Sequence, residues 1–482
     1  MTGSSKRRFT FTREGLAART LTATVFLGAF LLFTMEPLLG RLMVPSFGGA
    51  VHVWLLCLVF FQFLLLAGYL YAHLWAARFG ARHLFLLLLP LINLPLKITA
   101  EATPDASAQK LIFVLITQAA LPFAVLSTTA VVAQVWLARS GTGTPRNPYP
   151  LYSTSNAGSL LGLLSYPLLI EPFLGLRAQG RLWLAGYLLY GVLATLSYIL
   201  LRPTKATGAG ISTGNPFGQS APPPRTAYAL WGLLSALTSA FLLTVTNVIA
   251  MEVGSFPLVW IPPLVLYLLS FVLTFREKSG SYGKVMAFWP EILITGGLLY
   301  VLSSNNLLMI AGHLLVLFTI CLLVHAELYH SRPDSLYLTG FYLAVAAGGA
   351  VGGTLVALGA PLLFSGLYEY PLALLALAFI LGWRNRHAVA RFWRKAIVPV
   401  RLLRIVMIAA LTGFLVYFGH ESLSSSERLS HRNYYGITHV VDNPPAANAP
   451  AGVRLLVHSS TLHGIQYLDD PKRRQPALYY HP

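Results

Sequence analysis

Thirteen apolar runs, each near the length that crosses a bilayer, follow one another along this chain. They lie near 20–36, 52–75, 82–99, 110–137, 155–175 and 181–201, then 227–250, 257–275, 286–303, 306–327, 336–362, 367–384 and 401–419. In hydrocarbon a backbone must satisfy its own hydrogen bonds, so each run is read as a helix. A chain that is 56% hydrophobic and 10% charged lacks the polar surface of a soluble domain. Soluble enzymes and regulators are thereby excluded, and the bilayer is the first partner expected.

The net charge of +18 would suggest nucleic acid in a soluble protein. Here the basic residues fall in alternate loops, so the charge is topological and no nucleic acid is expected. One set of loops holds Arg78 and Arg82, then Arg139 and Arg146, then Arg202, Lys205 and Arg225. The same set continues with Arg276, Lys278 and Lys284, with Arg332, and with the strongly basic stretch from Arg384 to Arg401. The other set, such as 101–107, 303–306 and 365–370, is poor in Lys and Arg, with Arg177 and Arg181 the exceptions. The basic, uncleaved N-terminus (1–19) is therefore expected in the cytoplasm of a bacterial cell, with the chain in the inner membrane. Thirteen spans then place 420–482 on the periplasmic side.

Between the sixth and seventh runs lies 203–226, PTKATGAGISTGNPFGQSAPPPRT, a Gly/Pro/Ser/Thr-rich linker. Its flanks echo each other. Ala29-Phe30-Leu31-Leu32, then Val53-Trp54, then Tyr152 with Gly158 and Gly162, come in the first flank. Ala240-Phe241-Leu242-Leu243, then Val259-Trp260, then Tyr342 with Gly348 and Gly352, come in the second. Two units of six spans, 20–202 and 227–384, imply parallel repeats about an axis along the membrane normal, as in major-facilitator-type transporters. The expected fold is an all-α polytopic membrane protein of about thirteen helices in two such repeats. A basic loop and additional helix (385–419) and a small antiparallel β extension (420–482) complete it. The extension is expected to form strands at 433–443, 453–460 and 461–470.

Few residues offer chemistry. Cys57 and Cys321 sit inside apolar runs and give neither a disulfide framework nor metal-ligand spacing. The small-residue run 346–353 suits close helix packing and has no strand before it, so its glycines are not a nucleotide loop. On a helix, His325 points away from Glu327 and His330, which disfavours a metal. No cofactor and no metal are expected. Ionisable groups at membrane depth are functional candidates by default. Glu36 and Arg41 fall at the expected outer end of the first span and Glu171 at that of the fifth, within the kindred words EPLLG and EPFLG. They form either an outward-facing polar cluster that binds a cation or gates a cavity, or a set of interfacial ion pairs with Glu-Pro helix breaks.

The stretches 47–73, 151–176 and 325–353 resemble the membrane part of fused major-facilitator-type/spermidine-synthase-like bacterial proteins. The stretch 455–482 resembles the N-terminal β-domain of polyamine aminopropyltransferases. The resemblance implies ligand positions at Gln466, Tyr480 and His481. It also implies a Rossmann-like catalytic domain, which does not follow Pro482, so no enzyme activity is expected of the chain as given. The reading favoured by the sequence is a non-catalytic structural or accessory subunit, docked to other membrane or periplasmic subunits through 420–482. Two alternatives stand beside it: a transporter of polyamines or other organic cations, and a membrane-tethered aminopropyltransferase completed elsewhere.

Overall fold

The computed structural model describes residues 13–47, 51–96, 108–140, 149–201, 221–253, 259–275, 283–302, 307–334, 337–423, 427–433, 436–444, 452–458 and 461–468. Thirteen longer helical segments are found among them, besides a single helical turn at Gly283–Met286. The first six are α1 (Arg13–Phe47), α2 (51–79), α3 (Gly80–Ile92, wound as a 3₁₀ helix), α4 (Ala108–Ala138), α5 (149–173) and α6 (Leu176–Leu201). The next six are α7 (Arg225–Val253), α8 (Ile261–Thr274), α9 (Trp289–Val301), α10 (Leu307–His330), α11 (338–363) and α12 (Glu369–Lys395). The last is α13 (Val398–Leu423). Eight of these are long and apolar enough to cross a membrane by length and composition. Residues 202–220 of the linker lie outside the described residues.

The exposed surface is rich in large apolar side chains, among them Phe173, Leu307 and Phe379, each more than three-quarters exposed. Such a surface belongs in lipid. Gly80 takes φ +50° where α2 reverses into α3, a conformation that a side chain would strain.

The sequence places the end of the first span at Glu36. The structure corrects this: α1 continues through Pro37 and Pro45 to Phe47. Proline removes one backbone donor, and a helix packed among neighbours in a membrane tolerates that loss. Glu36 therefore lies inside a helix, eleven residues or about 16 Å before its end.

Two helix pairs carry the repeat. In the first, α5 lies on α1, with Gly158 against the carbonyl of Phe26 and Gly162 against that of Phe30. In the second, α11 lies on α7, with Gly348 against the carbonyl of Gly232 and Gly352 against that of Ala236. A Cβ at any of the four would overlap a backbone carbonyl. Only glycine lets the backbones come this close, where Cα–H groups can face carbonyl oxygens. A π-helical turn interrupts both packed helices at matching places, Tyr166–Ile170 in α5 and Leu355–Gly359 in α11. The register corrects one echo. Phe26 and Phe30 correspond to Gly232 and Ala236 at an offset of 206, and Trp54 corresponds to Trp260 at the same offset. The Ala-Phe-Leu-Leu words are five residues out of that register, so their likeness is coincidental.

Helix α13 runs along the edge of the bundle and is held by a buried cation. Arg404 donates to both carboxylate oxygens of Glu291 in α9 and lies over the rings of Phe288 and Phe392. Beyond it comes an antiparallel meander in the order β1 (Glu427–Asn433), β2 (Gly436–Asn443), β3 (Val453–His458) and β4 (Thr461–Tyr467). Strand β1 was not among the expected strands. Its sequence, ERLSHRN, has no apolar alternation to announce it.

The sheet is fastened to the bundle at the turn between α11 and α12. Ser430 Oγ donates to the Ser365 carbonyl at 3.0 Å. Arg432 Nη1 donates to the Gly366 carbonyl at 2.7 Å. The same guanidinium grips Glu369 through two bonds of 2.8 Å, with both side chains 6% exposed. Strand β1 is thus tied to the bundle, while Leu429 and Leu456 of the sheet stay exposed.

Candidate substrate cavity between the two halves

The helices enclose a cavity of about 190 Å³. Its walls come from α1, α2, α4 and α5 on one side and from α7, α8 and α11 on the other. Bundles of this kind bind ligands between facing helices, and here the facing surfaces belong to the two repeats.

Aromatic rings from the two halves meet at two levels of the bundle. One turn beyond the lining residues Leu58 and Leu264, Trp54, in the first turn of α2, meets Trp260, just before α8, with ring centroids 6.1 Å apart. Gly40 of α1 makes room for the Trp54 indole, since a Cβ there would overlap the ring. At the other level Tyr152 of α5 stacks on Tyr342 of α11, with centroids 4.8 Å apart and 22° between planes. Phe271 of α8 and Phe275 just after it crowd Tyr152 at 6.2 and 5.0 Å, and Tyr69 of α2 lies 6.3 Å from Tyr342. Each closing pair takes one residue from each half, at corresponding positions. His73 of α2 and Thr339 of α11 add a hydrogen bond of 2.9 Å between the halves at the Tyr end.

The walls are mostly apolar, with polar groups at few points. Gln62 Nε2 crosses from α2 to Ser239 Oγ of α7 at 3.0 Å. Ser235 and Ser127 return their hydroxyl protons to backbone carbonyls. Glu36 Oε2 and Gln62 Oε1 on the wall have no hydrogen-bond partner among the described residues, and the Asn156 amide faces the Tyr152 hydroxyl. Glu36 is 6% exposed and Asn156 8%. A buried polar atom without a partner costs free energy, so such atoms in a cavity wall are where a ligand would compensate.

Glu36 is the single carboxyl among the lining residues, and no Lys, Arg or His accompanies it there. Arg41 and Glu171 are paired with each other, Nε to Oε1 at 2.7 Å, partly exposed at the Trp end. The three residues singled out from the sequence thus divide between an interfacial ion pair and a cavity carboxyl. Gln62 and Asn156 were missed. Each is a lone amide in an otherwise apolar or small-residue stretch, FFQFLLL and SNAGS, and that is the signal they offered.

Other sequence candidates lie elsewhere. Gln466 sits in β4 opposite Arg454. Tyr480 and His481 fall outside the described residues. His325 takes Ser270 through Nδ1 at 2.7 Å and stacks on Phe271, while Glu327 takes Arg384. Among the described residues no group of three His, Cys, Asp or Glu is placed to hold a metal.

The chain matches no family model and no curated protein sequence. Solved structures are similar in shape. A crystal structure of the peptide transporter POT in complex with sulfate superposes with TM-score 0.50 at 15% identity, covering 80% of this chain and 99% of that one. POT in complex with alafosfalin gives 0.48 at 16% identity, with the same coverage. The nucleoside transporter NupG gives 0.44 at 14%, covering 76% and 99%. The first of these similarities gives the architecture: a multi-pass membrane bundle of the major-facilitator type, with the four-stranded sheet in addition.

Proposed function

We propose that this chain is a membrane transporter for a small organic solute, which occupies the central cavity and is released by alternate opening of the two aromatic closures. The observation that supports this best is the cavity: it lies on the boundary between the repeats, has the Tyr152–Tyr342 pair on its wall with the Trp54–Trp260 pair a turn beyond Leu58 and Leu264, and keeps unpartnered polar atoms on its wall. A rigid scaffold has no use for such a space, because empty volume costs packing energy.

An accessory subunit suits a chain whose acids lie near span ends, where the sequence puts Glu36 and Glu171. Glu36 on the cavity wall removes that argument. The fastening of β1 to the turn at 364–369 gives the sheet an anchor on its own chain. For the aminopropyltransferase alternative, the comparisons offer no support.

In the proposed cycle the halves rock about the cavity. Separating Trp54 from Trp260 admits solute at one end, and separating Tyr152 from Tyr342 releases it at the other. In this reading the Trp end, with the sheet, faces the periplasm, the orientation that the loop charges favour.

The test is counterflow in proteoliposomes with a mixed panel of small amines, alcohols, amides and carboxylates, read by mass spectrometry. Gly349 lines the cavity, and a Cβ there meets only Ser235 Oγ, at 3.6 Å. Gly349→Leu is therefore expected to fold normally and stop flux by filling the space. No flux of any panel member above protein-free liposomes would contradict the transporter reading and return the subunit reading to first place.

A further inference from the structure

We infer that the cavity selects a monovalent organic cation with a compact apolar body, its ammonium group seated on Glu36. The inference rests on the transporter reading for the movement of the solute, while the binding it describes can be tested separately.

The argument begins with charge. An ionised carboxylate in an apolar, water-poor site needs a countercharge. The lining residues include no basic side chain, and the neighbouring Arg41 is committed to Glu171. An ionised Glu36 therefore draws its countercharge from the cavity, and only one unit of it is wanted. A solute with two or more ammonium groups would leave the second in an apolar cavity with no carboxylate to meet it, which argues against polyamines.

Size and surface give the rest. An apolar cavity of about 150 Å³ accommodates benzene. At about 190 Å³ this one takes a single ring or short branched chain with an aminoethyl arm, and not an extended polyamine. Its walls supply eight aromatic rings, whose faces attract both an apolar body and a cation.

The experiment measures binding to the purified full chain by thermal shift and calorimetry. The probes are phenethylammonium, the neutral 2-phenylethanol, 3-phenylpropionate and spermidine. Phenethylammonium is expected to bind at least tenfold more tightly than each of the others. Glu36→Gln should cut phenethylammonium affinity at least tenfold and leave 2-phenylethanol unchanged. Glu36→Asp, which keeps the charge and draws it back, should retain the preference for cation over alcohol. Tighter binding of spermidine, equal binding of amine and alcohol, or unchanged amine affinity in Glu36→Gln would overturn the inference. The last two results would mean that Glu36 carries a proton in place of a cationic ligand. Binding of phenethylammonium without flux would leave this inference standing and contradict the transporter reading. Flux of neutral or anionic solutes alone would do the reverse.

Discussion

Tyr152 and Tyr342 stack across the boundary between the two halves, and each stands six residues before the first of two glycines that press its helix onto a neighbour. The sequence spacing Tyr-x₅-Gly-x₃-Gly thus recurs as a structural unit: a close-packed helix pair with a ring at its end. Meeting of the two units at their rings closes one end of the cavity.

Removing one ring should loosen that closure. A stacked aromatic pair is worth about 0.5–1.5 kcal/mol beyond the area it buries. Tyr342→Ala is expected to raise the rate at which a cavity thiol, Ser155→Cys in a Cys57→Ala/Cys321→Ala background, reacts with a reagent applied from the Tyr end. The expected rise is roughly twofold to tenfold on that energy. An unchanged rate would mean that the ring does not close the cavity.

The Trp end makes the matching prediction through Gly40. Gly40→Val would displace the Trp54 indole, and with it the contact to Trp260. Labelling of the same thiol from the Trp end should increase, with labelling from the Tyr end unaltered. An increase from both ends would show a general loss of packing.

The helix pairs should be intolerant of any side chain. Gly352→Ala and Gly158→Ala each force backbones apart and are expected to cost about 1–3 kcal/mol, as overpacking does. Gly191 of α6 has open space around it, so Gly191→Ala is the control and should be neutral or slightly stabilising. Thermal unfolding in detergent ranks the three. Equal melting temperatures would dismiss the close-approach argument.

Much of this fold was open to reading from the sequence, for physical reasons that can be named. Hydrocarbon demands helices, so hydropathy alone gives thirteen segments, and π-helical turns within α2, α5 and α11 do not disturb it. Trp54 with Trp260 and Tyr152 with Tyr342 could be paired from spacing, because large rings and glycines are rare enough to mark a register. Leu, Ala and Phe are common in lipid-facing helices, which is why the Ala-Phe-Leu-Leu words misled. Glu36 was misplaced because Glu-Pro ordinarily marks a helix boundary, and local sequence does not say that neighbours will carry α1 onward. The partners Glu291 with Arg404 and Glu369 with Arg432 are far apart in the chain, and no local pattern joins them.

The Arg432–Glu369 clamp should hold the sheet in place. Arg432→Ala leaves a carboxylate buried without its cation, and breaking such a pair costs about 3–5 kcal/mol. Limited proteolysis is expected to release 427–468 from Arg432→Ala far sooner than from the parent. The double variant Arg432→Leu/Glu369→Leu should recover most of the protection. Equal cleavage of parent and Arg432→Ala would place the attachment elsewhere.

The central claim, alternate opening of two closures around one cavity, is tested most directly by locking each closure in turn. Trp54→Cys/Trp260→Cys and Tyr152→Cys/Tyr342→Cys, each in a Cys57→Ala/Cys321→Ala background, can be bridged with a short reducible bis-thiol cross-linker in proteoliposomes that show counterflow. The account predicts that either bridge alone stops flux and that reduction restores it. Flux that continues with both bridges in place would contradict it.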